Sequence, residues 1–94
     1  MDQGELLDRL KQASQCSELC EVRTFKGYRH GKDGSTREVS VQILDAGPGN
    51  DLRYHIIATD DAGREASGNP DARLDVVIAT VHWGDLDREL RQTI

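Results

Sequence analysis

The chain has 94 residues, a net charge of −5 and 31% charged residues. This length fits one domain with a small core, residues 1–94, and the negative charge excludes attraction of the whole molecule to nucleic acid or an anionic membrane. We expect a folded, well-solvated domain in which 85–94 form a loosely packed tail.

The N-terminus has no basic segment followed by an apolar run, as a signal peptide would have. No stretch of the sequence reaches the roughly 18 apolar residues of a membrane span. Two cysteines, Cys16 and Cys20, are too few for a disulfide framework. We therefore expect a cytoplasmic protein with reduced thiols.

The hydrophobic pattern predicts an α+β domain in the order helix, three strands, helix. The first helix is predicted over 3–15, because Asp2 and Glu5 form a capping-box start and leucines recur on one face. Strands are predicted over 19–29, 37–45 and 52–59, with a bulge in the first, where alternation is imperfect. Residues 64–67 fit a short fourth strand or an irregular link. Short loops imply an antiparallel meander, with two helices on one face.

The segment 69–84 carries both helix and strand signals. Asn69 is a strong N-cap, Pro70 suits the first helical position and Gly84 is a natural stop. The β-branched run 76–81 favours a strand instead. The cap signals lead us to predict a helix. Beyond it, the spacing of Leu86, Leu90 and Ile94 predicts a short C-terminal helix.

A helix over 69–84 would carry two apolar stripes. The first contains Leu74, Val77, Ile78 and Val81, which we assign to the core. The second, nearly opposite, contains Ala72, Val76, Ala79 and Trp83. Three explanations of the second stripe stay open: the tail covers Trp83, the segment is a strand, or a partner binds there. In the last case Val76, Ala79 and Trp83 contact a protein partner or a second copy.

Residues 22–37 concentrate five basic side chains against a single acid. Basic side chains beside aromatic ones suit single-stranded nucleic acid, through phosphate contacts and stacking. The alternative is a solvated hairpin whose charges keep an edge strand from pairing with neighbours. The candidate contact residues are Arg23, Lys26, Tyr28, Arg29, His30, Lys32 and Arg37.

No catalytic, metal or phosphate-binding motif is recognisable. Cys16 and Cys20 form one ligand pair, but a structural zinc site needs about four ligands, and His30 is the nearest further candidate. His30, His55 and His82 have no positioned partner in the pattern. Residues 60–63 lack the alternating acids of a calcium loop. We expect no enzyme, metal, cofactor or small-molecule ligand.

The order of elements resembles the double-stranded-RNA-binding domain over residues 3–83. Gly27-Tyr-Arg-His30 falls where that family often has a Gly-Pro-x-His turn between its first two strands. Gly68-Asn-Pro-Asp-Ala-Arg73 falls where the second helix of the family opens. In place of the family's lysine cluster, Asp71-Ala-Arg-Leu-Asp75 has one base and two acids. The resemblance therefore implies the αβββα shape in the role of a protein-contact module.

Together these features predict a small interaction module that self-associates through Val76, Ala79 and Trp83. Nucleic-acid binding by the 23–37 hairpin is the alternative.

Overall fold

The computed structural model describes residues 1–31 and 33–87. Its elements within this range are α1 (Gln3–Ser14), β1 (Glu21–His30), β2 (Thr36–Asp45), β3 (Tyr54–Asp60), β4 (Glu65–Ser67), α2 (Leu74–Thr80) and the 3-10 helix η1 (Trp83–Asp87). The strands lie in the order β1-β2-β3-β4, and all three pairings are antiparallel. The predicted α+β meander is confirmed, and residues 65–67 form the short fourth strand.

β1 and β2 pair without interruption, from Glu21 opposite Asp45 to His30 opposite Thr36. The bulge predicted in the first strand was wrong. Nearly all of β1 is exposed, with Arg29 alone half-buried. Because neither face of this strand is buried, the core imposes no alternation on its sequence.

α1 lies at the end of the sheet where β2 and β3 connect. The Asp2 carboxylate accepts a hydrogen bond from the Glu5 N–H at 2.8 Å, which confirms the predicted cap. Leu7 is the buried side chain of the helix. Its Cδ1 lies 2.8 Å from the position that a Cβ of Gly47 would occupy, and Gly47 has φ = 97°. Glycine is therefore favoured there by the backbone conformation, and a larger side chain would displace the end of Leu7.

The core lies between one face of the sheet and the C-terminal elements. It consists of Val39, Ile56, Ala58, Ala66, Val77, Val81 and Leu86. Leu86 is only 2% exposed. Residues 85–87 therefore belong to the packed domain and not to a loose tail, whereas Leu90 and Ile94 lie outside the described residues.

α2 begins later and ends earlier than predicted. Arg73 occupies the N-cap position without a side-chain cap, and Val81 ends the helix in an extended conformation. Asn69 and Pro70 precede a two-residue bridge in which the backbones of Asp71 and Tyr54 exchange hydrogen bonds at 2.9 and 3.2 Å. A helix starting at Asn69 was therefore wrong, because this bridge holds the chain against β3.

The shorter helix changes which side chains reach the core. Val77 is fully buried, Val81 is buried and Leu74 packs against the core, as predicted. Ile78 is 48% exposed, so its assignment to the core was wrong. A helix of seven residues covers the sheet with one narrow face, and Ile78 lies at the flank of that face. The predicted stop was also wrong, because Gly84 lies inside η1.

Candidate interaction surface

The stripe predicted on the second helix is divided in the structure. Val76 is half-buried and Ala79 is exposed, both on α2. Trp83 belongs to η1 and packs against the core. Because the helix ends at Thr80, helical spacing no longer aligns Trp83 with the other two residues. The apolar side chains that α2 exposes are Ile78 and Ala79.

The pairing of β1 with β2 separates the basic hairpin candidates onto two faces. Odd-numbered residues of β1 pair with the core-facing residues of β2, so they share the core face of the sheet. This group contains Arg23, Phe25, Gly27 and Arg29, with Arg37 on β2. The opposite, open face carries Val22, Thr24, Lys26, Tyr28 and His30. Phe25 and Tyr28 therefore cannot stack on the same strand of nucleic acid, and Lys32 lies outside the described residues.

Most of these basic side chains contact acids of the same chain. The pairs are Arg29–Asp87 at 2.8 Å, Lys26–Glu38 at 3.4 Å and Arg37–Asp61 at 3.7 Å. Arg29 also donates to the Trp83 carbonyl at 3.3 Å, and Arg23 lies over the Phe25 ring at 5.6 Å. Exposed ion pairs contribute little stability, but they reduce the positive potential that nucleic acid would meet.

In the part of the chain that the structure describes, β1 is a free edge of the sheet. Only β2 pairs with it among the described residues, and β1 is ten residues long. The other edge, β4, has three residues and contacts η1. The exposed apolar side chains of β1 are Val22, Phe25 and Tyr28, the last 69% exposed. The predicted meander implied this edge position, and the charges of the hairpin indicated an exposed edge strand, but neither identified it as a binding surface.

The alternation of antiparallel hydrogen bonds shows which residues of β1 direct their N–H and C=O groups to β2 and which direct them outward. The Gly31 N–H donates to the Ser35 carbonyl at 2.7 Å, directly beyond the last pair of the β1–β2 ladder. Odd-numbered residues of β1 therefore direct their backbone groups to β2. On the other side of β2, the Asp61 N–H donates to the Glu38 carbonyl at 3.1 Å, which fits the same alternation. The outward-directed residues of β1 are Val22, Thr24, Lys26, Tyr28 and His30.

Beside this edge, the core face of the sheet carries a shallow groove. Its apolar lining comes from Phe25, Val39, Val41 and Trp83, together with Gly27. A Cβ on Gly27 would meet no atom within 4 Å, so space is open above this glycine. The groove and the outward backbone groups form one continuous surface along β1.

Two polar clusters lie elsewhere on the molecule, the second of which shares Arg29 and Val39 with the groove. In the first, the Asp45 carboxylate accepts hydrogen bonds from Arg53 Nε at 2.8 Å, Gln3 Nε2 at 2.7 Å and the Gly47 N–H at 2.9 Å. Burial acts to raise the pKa of Asp45, but these three donors outweigh burial and hold the pKa below its ordinary value. This cluster ties α1 to the sheet.

The second cluster lines a cavity of about 530 Å³ near the β1–β2 turn. Its charged lining consists of Arg29, Arg37, Arg64, Asp33, Asp60 and Asp87. Arg64 Nε donates to Asp60 Oδ2 at 2.7 Å. Burial acts to raise the pKa of Asp60, but hydrogen bonds from Arg64 and Ala62 lower it overall. Three arginines and three aspartates thus line the cavity, where the buried Arg37 Nε has no hydrogen-bond partner among the described residues.

The described residues contain no group of three or more metal-ligating side chains. Cys16 is exposed, Cys20 is half-buried, and both are free thiols. None of the described helices has the length and apolar character needed to span a bilayer. Comparisons with known proteins give no match to a family model, a curated protein or a solved structure.

Proposed function

We propose that this chain is a small, non-catalytic, cytoplasmic protein-interaction module that binds an extended polypeptide along the free edge of β1. The observation that carries the proposal is a ten-residue edge strand with outward-directed backbone groups and exposed apolar side chains. In strand addition, main-chain hydrogen bonds supply affinity, and side chains on alternate positions supply specificity. β1 offers both.

The two edges of the sheet differ in a way that supports this function. Proteins protect edge strands by keeping them short, by bulges, by proline or by covering them. β4 is three residues long and lies beside η1. β1 has neither a bulge nor a proline, and within residues 1–31 and 33–87 charged side chains such as Lys26 are its protection. The open edge at β1, opposite the protected edge at β4, favours binding of an extended polypeptide to β1.

The α2 surface is a second place where a protein could bind. Ile78 and Ala79 are exposed there, beside the half-buried Val76. This patch is small, because the helix has seven residues and Trp83 packs inward. Specific protein interfaces bury about 800 Å² per partner, so the longer surface of β1 is the better candidate.

The proposal is tested by selection from a phage-displayed library of random decapeptides against the full chain. Thr24→Pro removes an outward N–H without removing a bond to β2, and proline is tolerated on an edge strand. Thr24→Val is the matched control, because it keeps the N–H. We expect selected peptides with alternating apolar residues that bind the wild type and Thr24→Val but not Thr24→Pro. Failure to select peptides, or equal binding to Thr24→Pro, would overturn the proposal.

A further inference from the structure

We infer that the occupant of this edge is β1 of a second copy of the chain, paired antiparallel about a two-fold axis at Phe25. This inference rests on the proposed function. In this register Phe25 faces Phe25 of the second copy, Thr24 faces Lys26 and Val22 faces Tyr28. The product is a continuous sheet formed by two copies of the four-stranded meander.

The backbone geometry of β1 permits this register. Antiparallel strands bond through residues that face one another with both backbone groups directed to the partner. Here four of the five outward-directed residues meet another one, because Val22 meets Tyr28 and Thr24 meets Lys26. A shift of one residue would place outward groups opposite residues already bonded to β2. Four of the residues that are unpaired in one copy therefore pair between two copies, and His30 lies beyond the start of the partner strand.

The side chains are also complementary in this register. On the open face, the exposed Val22 packs beside Tyr28 of the second copy. On the core face the two Phe25 rings meet at a non-hydrogen-bonded position, where side chains lie closest and aromatic pairs are favourable. Glu21 faces the oppositely charged Arg29. Arg23 faces Gly27, above which the structure has open space.

Neighbouring two-fold registers lack this complementarity. A register centred on Lys26 places the two Lys26 ammonium groups face to face and Arg23 opposite Arg29, and like charges directly opposite are destabilising. A register centred on Thr24 pairs Lys26 with Val22. It also moves Tyr28 and Arg29 beyond Glu21, the first residue of the partner strand. Charge and apolar pairing therefore select the register centred on Phe25.

Sedimentation equilibrium of the full chain over a range of concentrations tests the inference. We expect a reversible dimer that Thr24→Val retains and that Thr24→Pro weakens by about tenfold or more, through loss of hydrogen bonds across the two-fold axis. A dimer unaffected by Thr24→Pro forms elsewhere and overturns the inference. A monomer at every concentration also overturns it, but the proposed function stands if selected peptides still depend on the Thr24 N–H.

Disulfide trapping tests the register itself. Thr24→Cys and Lys26→Cys are made separately in a background of Cys16→Ser and Cys20→Ser, then mixed and oxidised. Directly opposite residues, such as 24 of one copy and 26 of the other, have Cα atoms about 5.5 Å apart, which is within disulfide range. The Cα atoms of the same residue in the two copies, 24 with 24 or 26 with 26, are more than about 7 Å apart in this register. We expect the mixed disulfide to predominate. Predominance of the Thr24→Cys or Lys26→Cys homodimer would overturn the register.

Discussion

Asp45 illustrates how one buried carboxylate connects elements that are distant in the sequence. Its hydrogen bonds to Gln3 and Arg53 join α1 to the last residue of β2 and to the residue before β3. The side chain is only 12% exposed. Loss of a charged hydrogen-bond partner from such a place leaves the other groups unsatisfied, at a cost of about 1–3 kcal/mol.

The lowered pKa of Asp45 makes part of the stability dependent on pH. A carboxyl whose pKa is lower in the folded state stabilises the protein above its unfolded pKa of about 4, and that stability is lost as the pH falls through the folded pKa. We predict that Asp45→Asn lowers the free energy of unfolding at neutral pH and flattens its dependence on pH below about 4. Urea unfolding across pH checks this, and an unchanged slope would contradict it.

Two isoleucines differ in burial, and only Ile78 departs from its predicted place in the core. Ile56 is 2% exposed on β3, whereas Ile78 is 48% exposed on α2. We predict that Ile56→Ala costs about 2–5 kcal/mol, the usual cost of truncating a buried isoleucine. Ile78→Ala is the matched control and should change the free energy of unfolding by about 0.5 kcal/mol or less. Comparable losses in the two variants would show that Ile78 packs in the core.

At the scale of the elements, the two candidate helix caps provide a direct comparison. Asp2 caps α1 through the Glu5 N–H, whereas Asn69 lies before the bridge between Asp71 and Tyr54. We predict that Asp2→Ala destabilises the protein by about 0.5–2 kcal/mol and that Asn69→Ala is close to neutral. Thermal or urea unfolding measures both. If Asn69→Ala lowered the free energy of unfolding as much as Asp2→Ala, Asn69 would be acting as a helix cap, and the predicted helix beginning at Asn69 would be correct.

The elements that could be predicted from the sequence are those that local patterns determine. The cap at Asp2 and the alternation from Val39 to Ile43 gave α1 and β2 nearly to the residue. The start of α2 was missed because a long-range backbone bridge at Asp71 overrides the local signal of Asn69 and Pro70. The free edge of β1 was not recognised as a site, because edge exposure depends on which strands and helices cover it.

For the whole molecule, the distribution of charge decides between partners. The net charge is −5, and three basic side chains of the hairpin, Lys26, Arg29 and Arg37, already contact acids. We predict no mobility shift of a mixed-sequence single-stranded RNA at a salt concentration of about 50 mM, where phosphate contacts would be strong. A shift that Arg23→Ala weakens would support the nucleic-acid alternative and contradict this prediction.

The open edge of β1 is tested most directly by amide hydrogen exchange, measured residue by residue at increasing protein concentration. At low concentration the amides of Thr24 and Lys26 should exchange quickly, whereas those of Phe25 and Gly27, bonded to β2, should be protected. At high concentration the Thr24 and Lys26 amides should become protected as a second strand binds. If these two amides exchange quickly at every concentration, or are already protected in the monomer, the edge is not a binding surface for a second copy.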